Sequence, residues 1–347
     1  MPDTSQVGQA LLSVLMTVYN GEPHLLSSVE SILNQSFSNF EFIIVDDAST
    51  DNSLKILQAA ANRDSRIRLL TQEKNVGQTA SLNLGIREAR GRWIARMDAD
   101  DISLPDRLER LVNTIKKNPD SLQVIGSQGW IMDESSRMTG TINVPLTDAG
   151  IRASLALQNP FIHAAVMFRR ELPNGKLAQY DTNYRICQDW EMWGRLLEYG
   201  QGLNLSDRLL AYRHHESSLS HAQTEKTAAE ADQISRHFLA GQSHEKEAAT
   251  LFANFRKGTL WEERHNFWKI WRKVNDDADA TALHHLTLAG AAKAAGKSAW
   301  WQEVLAAVRA SPKRAFCFLV DIARKGLVSL NFMQRSVGSD RSDRSTG

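Results

Sequence analysis

Between residues 11 and 132, short apolar runs alternate with amphipathic helical stretches, and this alternation leaves few folds open to the chain. "LLSVLMTV" (11–18) reads as a strand, and a helix is expected from Pro23 to Gln35, where Leu25, Leu26, Val29, Ile32 and Leu33 form one apolar stripe. "FEFIIVDD" (40–47) follows, with the continuous apolar run of a strand buried on both faces. A helix after "ASTDNS", a strand "RIRLLTQ" (66–72), a helix over "TASLNLGIREAR" (79–90), a strand "RWIARMD" (92–98), a helix from Pro105 and a strand "LQVIGSQGWIM" (122–132) complete the series. The expectation is an α/β fold: a Rossmann-like, mostly parallel sheet flanked by helices, with ligands beyond the carboxyl ends of the strands.

Two acidic groups stand at that edge. "VDDASTD" ends one strand and "MDADD" ends another, and together they mark one site. Carboxylates crowded this closely take up protons or recruit a cation. In "DAD", Asp98 and Asp100 share a side of an extended segment, whereas Asp101 faces the other way and is expected to cap the helix near Pro105. An EF-hand is excluded, because counting from Asp98 puts Ser103 at the sixth loop position and Glu109 at the twelfth.

Composition narrows the function classes. Lys plus Arg number 41 against 40 Asp plus Glu, so no global field favours nucleic acid, and none is expected as a partner. The two cysteines, Cys187 and Cys317, lack metal-ligand spacing and fit a reducing compartment. "ALLSVLMTV" lacks a basic flank and reads as a first strand rather than a signal peptide, and no window reaches the roughly 20 apolar residues that span a bilayer.

Beyond residue 222 the pattern changes to helix alone. In "LWEERHNFWKIWRKV", Leu260, Trp261, Phe267, Trp268, Trp271 and Val274 share one face, and a second stripe joins Trp300, Trp301, Val304, Leu305 and Val308. The expected organisation is a catalytic domain over 1–222, an all-α C-terminal extension over 223–332, and a disordered tail over 333–347. The extension packs on protein or lies on a membrane surface, so the expected location is cytoplasmic or peripheral at the inner face of the cytoplasmic membrane.

The ordered motifs "SVLMTVYNGEPHLLSSVESILNQSFSNFEFIIVDDASTDNS", "NVGQTASLNLGIREARGRWIARMDADD", "PFIHAAVMFRR", "CQDWEMWGRLLEYG" and "YRHHESSLS" resemble the inverting family 2 glycosyltransferases of the GT-A fold, over roughly residues 11 to 220. The resemblance implies a nucleotide-diphosphate sugar donor, most readily a UDP-sugar, and a saccharide or lipid-linked acceptor, with a place in surface polysaccharide synthesis. It places Thr17, Tyr19 and Asp47 around the base, Lys74 and Asn75 beside the nucleotide, and His163 near the acceptor and diphosphate. It gives Asp98 and Asp100, with His215, to a divalent cation, Mn²⁺ or Mg²⁺, and makes Asp98 a donor contact as well. Hard cations of this kind take oxygen ligands and keep open positions for phosphate.

Inversion also requires a base for the acceptor hydroxyl, and Asp189 matches the family's base. Gln188 stands where relatives commonly have Glu, which keeps hydrogen bonding beside the base and removes a charge that bears on acceptor preference. The family's processive synthases carry membrane helices and a Gln-x-x-Arg-Trp motif. Here the nearest stretch is "QISRH", so transfer of one or a few sugars is expected. Three alternatives carry some of the same signals. A haloacid dehalogenase-type phosphatase would place its Asp-x-Asp on the first strand, a nucleotidylyltransferase would have a Gly-rich loop where "TVYNGEPHLL" stands, and an inactive scaffold need not keep Asp98, Asp100 and Asp189.

Overall fold

The computed structural model describes residues 12–118, 121–155 and 159–214, together with the helical residues 229, 230, 233 and 234. His215, the two Trp-bearing stripes, the boundary at 222 and the tail lie outside the described residues, as does most of the extension.

β1 (Leu12–Val18) has no exposed side chain. Its alternate residues feed two different cores, since Leu12, Val14, Met16 and Val18 join one and Leu15 the other. This is how a strand buried on both faces reads as a continuous apolar run. α1 (Glu22–Leu33) starts with a proline in its first turn and buries Leu25, Val29 and Ile32. β2 (Glu41–Asp46), α2 (Ser53–Arg63), β3 (Ile67–Thr71), α3 (Gln78–Glu88) and β4 (Trp93–Met97) follow. The strands β3, β2, β1 and β4 lie side by side in that order, all parallel.

The rest of the described chain departs from this rule. β5 (Ile102–Ser103), α4 (Arg107–Lys117), β6 (Leu122–Met132), β7 (Met138–Ile142), α5 (Asp148–Leu155), a 3₁₀ turn at His163–Ala165, β8 (Met167–Arg169), α6 (Gln188–Leu197) and β9 (Gln201–Arg213) complete it. The full order is β3-β2-β1-β4-β8-β6-β9-β5, with β7 on the side of β6. The short β8 runs antiparallel to both β4 and β6, whereas β9 runs parallel to β6 and antiparallel to β5. The sheet is therefore mixed, parallel throughout only in its first half.

Helices cover both faces. The apolar sides of α1, α2 and α4 meet one face in a core with Leu57, Leu108 and Leu111. Those of α3, α5 and α6 meet the other around Leu82, Ile151 and Trp193. Trp193 has no exposed surface, and its truncation to alanine would cost about 3–5 kcal/mol.

Candidate active site

The parallel register lines up the carboxyl ends of β1, β2 and β4. Val18 pairs with Asp46, the Asp47 amide donates to the Val18 carbonyl at 2.8 Å, and Met16 lies opposite Met97. Two loops leaving this edge are tied together. The Asn20 side chain accepts the Thr50 amide at 2.8 Å, and the Asn20 amide donates to the Ser49 hydroxyl at 3.1 Å. Both Asn20 and Ala48 take the left-handed backbone region, at φ 52° and 60°. Such strain collects at functional sites.

Asp46 braces its turn, accepting the Ser49 amide at 3.2 Å. Asp47 is almost fully buried and does more. Its two oxygens accept the amides of Val76 and Gly77, each at 2.9 Å, which fastens the loop carrying Lys74 and Asn75 to the end of β2. Asp47 therefore has only its remaining lone pairs for a base. Gly77 makes the turn into α3 at φ 90°, a conformation suited to glycine. Lys74 and Asn75 are exposed, Thr17 is buried, and the Tyr19 ring is 52% exposed, a free face on which a base can stack.

At the end of β4 the three aspartates separate. Asp98 and Asp100 are partly exposed and Asp101 is fully buried. Asp98 pairs at 2.6 Å with Arg96, which exposes no surface and also donates to the Met97 carbonyl. A second buried arginine, Arg107, donates to the Arg96 carbonyl at 2.5 Å, and burial holds its pKa down to about 10. Burial, aided by Asp100, raises the Asp98 carboxyl against the opposing pull of Arg96.

Asp101 does not cap the following helix. β5 intervenes, the capping position of α4 is Asp106, and Asp101 instead accepts the Arg213 amide at 2.8 Å. The Arg213 side chain reaches back to the Asp100 carbonyl at 2.8 Å and to the β6–β7 turn, locking β9 under the acidic loop.

On the other side of the site, Asp189 occupies the second position of α6. Cys187 holds the capping position, so Asp189 is not the cap. Its carboxylate accepts the Asn159 amide group at 2.6 Å and the Trp190 backbone amide at 2.8 Å. Burial outweighs both and pushes its pKa up to about 6. Gln188 beside it donates to the Gln78 side chain at 3.1 Å. His163 bonds the Tyr180 hydroxyl at 2.9 Å through Nε2, and its ring meets Tyr180 and Trp193 edge-on, at 5.6 and 6.1 Å between centroids. Burial, with Arg96 nearby, keeps His163 neutral well below the usual histidine range.

The Arg96 charge acts on His163, Tyr180 and Asp189 as well as on Asp98. It thereby joins the strand edge and the α6 terminus in one electrostatic site. Sequence reasoning missed Arg96, Asn159 and Tyr180. Their signals were present in "ARMD", in "NP" just before "FIH", and in an aromatic residue nine positions before the acid of α6. Among the described residues no group of three or more His, Cys, Asp or Glu is arranged to hold a metal. A pair of partly exposed carboxylates still fits a hard cation that takes one or two protein oxygens and completes its shell with phosphate. No helix among the described residues is long and apolar enough to cross a membrane.

The model of the glycosyl transferase family 2 matches residues 13–173. An uncharacterized glycosyltransferase of Haemophilus influenzae is 31% identical over 218 residues, which cover 60% of this chain and 67% of the relative. The O-antigen biosynthesis glycosyltransferase WbnJ of Escherichia coli is 30% identical over 216 residues, which cover 60% of this chain and 81% of WbnJ. Among solved structures, S. aureus TarS 1-349 in complex with UDP-GlcNAc superposes with a TM-score of 0.56 at 17% identity, over 91% of this chain and 92% of that one.

Proposed function

The chain belongs to glycosyl transferase family 2, and from that premise we propose that it transfers a sugar from a nucleotide-diphosphate donor to an acceptor hydroxyl, with inversion at the anomeric carbon. The observation that carries this reading is Asp189, a buried carboxyl pushed up to about 6, fixed by Asn159 and the Trp190 amide and acted on by the Arg96 charge. A carboxylate with a pKa just below neutrality is ionised at working pH and still basic enough to take a proton in the transition state.

In the proposed step the acceptor oxygen forms a bond to the anomeric carbon as its proton passes to an oxygen of Asp189. The bond from that carbon to the diphosphate oxygen breaks, and its electron pair leaves with the diphosphate. Tyr19 supplies a stacking face for the base, and Asp47 holds the Lys74–Asn75 loop beside the nucleotide. Asp98 and Asp100 are the residues that would hold a divalent cation, and Mn²⁺ or Mg²⁺ there would offset charge on the departing diphosphate. His163, neutral and anchored to Tyr180, presents a polar edge without adding a charge.

A UDP-linked sugar is the first donor to test, with a saccharide or lipid-linked saccharide acceptor. The kinship to a relative named for O-antigen biosynthesis supports a role in surface polysaccharide synthesis. The phosphatase alternative loses support, because Asp98 follows the fourth strand of the sheet rather than the first. The deciding experiment incubates the protein with a panel of nucleotide sugars, Mn²⁺ and candidate acceptors, and follows nucleotide release and the anomeric configuration of the product. The reading predicts an inverted product that is lost in Asp189→Asn. Phosphate release from a simple phosphoester with no turnover of any nucleotide sugar would overturn it.

A further inference from the structure

The helix bearing Asp189 lacks a local cap. Its capping residue, Cys187, makes no side-chain bond to the open amides of the first turn. The Trp190 amide of that turn is met by Asp189 itself. The three amides just before the turn are met by a residue far along the chain. The Glu230 carboxylate accepts the amides of Arg185 and Ile186 at 3.0 Å each and that of Cys187 at 2.9 Å. Four residues later, Ile234 is buried in the same core as Trp190, Trp193 and Tyr184.

We infer that Glu230 is a positioning residue for Asp189: by gathering three consecutive amides it fixes the loop entering α6 and so the direction in which the catalytic carboxylate points. The inference rests on Asp189 being the base. Each half of that carboxylate's environment depends on α6 starting where it does. Oδ1 accepts the amide of the next residue, Trp190, and Oδ2 meets Asn159 from a different segment. A rotation of the first turn would satisfy one and break the other. The loop is also held from the opposite side, where Asn83 exchanges two 2.8 Å bonds with the Tyr180 backbone and the Thr79 hydroxyl donates to the Tyr184 carbonyl at 3.3 Å. With that side pinned to α3, Glu230 holds the amides of residues 185–187.

A carboxylate suits this task better than its amide. An ionised group accepts at both oxygens, and bonds to it are stronger than neutral ones. It also places negative charge at the positive end of α6. Glutamine would turn one oxygen into a donor, so at least one of the three amide bonds would be lost.

The test uses the full chain as Glu230→Gln, Glu230→Asp and Asp189→Asn. Hydrogen exchange is read at residues 185–190, and the Asp189 carboxyl is titrated by carbon-13 NMR, with Asp189→Asn assigning the signal. In Glu230→Gln, exchange at 185–187 should accelerate about tenfold or more. The Asp189 midpoint should fall from about 6 toward the ordinary aspartate value as the first turn loosens and water enters. With UDP-hexoses and Mn²⁺, kcat should drop about tenfold or more while the donor KM stays within about twofold. Glu230→Asp, which keeps the charge and disturbs folding less, should fall between the two. An Asp189 titration unchanged in Glu230→Gln and Glu230→Asp, with the amides released, would overturn the inference. Full turnover in Asp189→Asn would instead remove the base assignment and leave the effect of Glu230 on the Asp189 signal standing.

Discussion

Arg96 pairs with Asp98 at 2.6 Å while exposing none of its own side chain. A cation with no access to water sits directly beneath the acidic edge of the sheet and acts on Asp189 as well. The acids at the strand end therefore carry a fixed positive charge below them before any ligand arrives.

Removing that charge should destabilise the fold. Arg96→Met leaves Asp98 desolvated without its partner, and the expected loss is about 3 kcal/mol, the lower end for a broken buried pair, because 25% of the Asp98 side chain still meets water. Urea unfolding measures it. Combining the change with Asp98→Asn should recover part of the loss, since the uncompensated charge is gone. Equal stability of Arg96→Met and the wild type would show that the pair does not operate.

Asp47 should act first on a loop. Asp47→Ala removes the acceptor of the Val76 and Gly77 amides, and a loss of about 1 kcal/mol is expected, because both amides lie near solvent. Hydrogen exchange at these two positions should accelerate, and nucleotide binding should weaken as the Lys74–Asn75 loop is freed. Exchange unchanged at both would contradict this role.

The pH dependence follows from Asp189. Turnover at saturating donor should rise with pH through about 6, as the carboxyl ionises into its base form. Stability runs the other way. The folded pKa lies above the ordinary aspartate value of 3.8, so this group favours folding at low pH, and that contribution is lost as pH rises from about 4 through about 6. Asp189→Asn should therefore gain on the wild type across that window, by on the order of 3 kcal/mol at neutral pH. Melting curves of the two proteins at pH 4 and pH 8 check it. A constant difference would mean that Asp189 titrates normally.

How much of this was legible in the sequence follows from the range of the interactions. Each of these strands shows as a local apolar run, so "LLSVLMTV" and "LQVIGSQGWIM" predict β1 to within a residue and β6 in full. Strand β8 is three residues long and exists because β4 and β6 flank it, and the parallel pairing of β9 with β6 joins segments some 80 residues apart. No local period reports such pairings.

The site divides in the same way. Asp98, Asp100 and Asp189 stand in local patterns, but arginine ordinarily reads as a surface residue, so neither Arg96 nor Arg107 announced itself as buried. Asp101 illustrates the limit. Capping was its local option, whereas the structure gives its carboxylate to the amide of Arg213, 112 residues away.

The central claim, that the strand edge binds the nucleotide diphosphate of a sugar donor together with a divalent cation, is tested most directly by the melting temperature of the full chain. UDP, dTDP, GDP and CMP are each added with and without Mn²⁺. A ligand at a hundred times its Kd stabilises the folded state by about 2.7 kcal/mol, a readily measured rise in Tm. The account predicts that one nucleoside diphosphate raises Tm, more strongly with Mn²⁺, and that Asp100→Ala removes the dependence on the cation. No shift with any of the four nucleotides, with or without Mn²⁺, would contradict it.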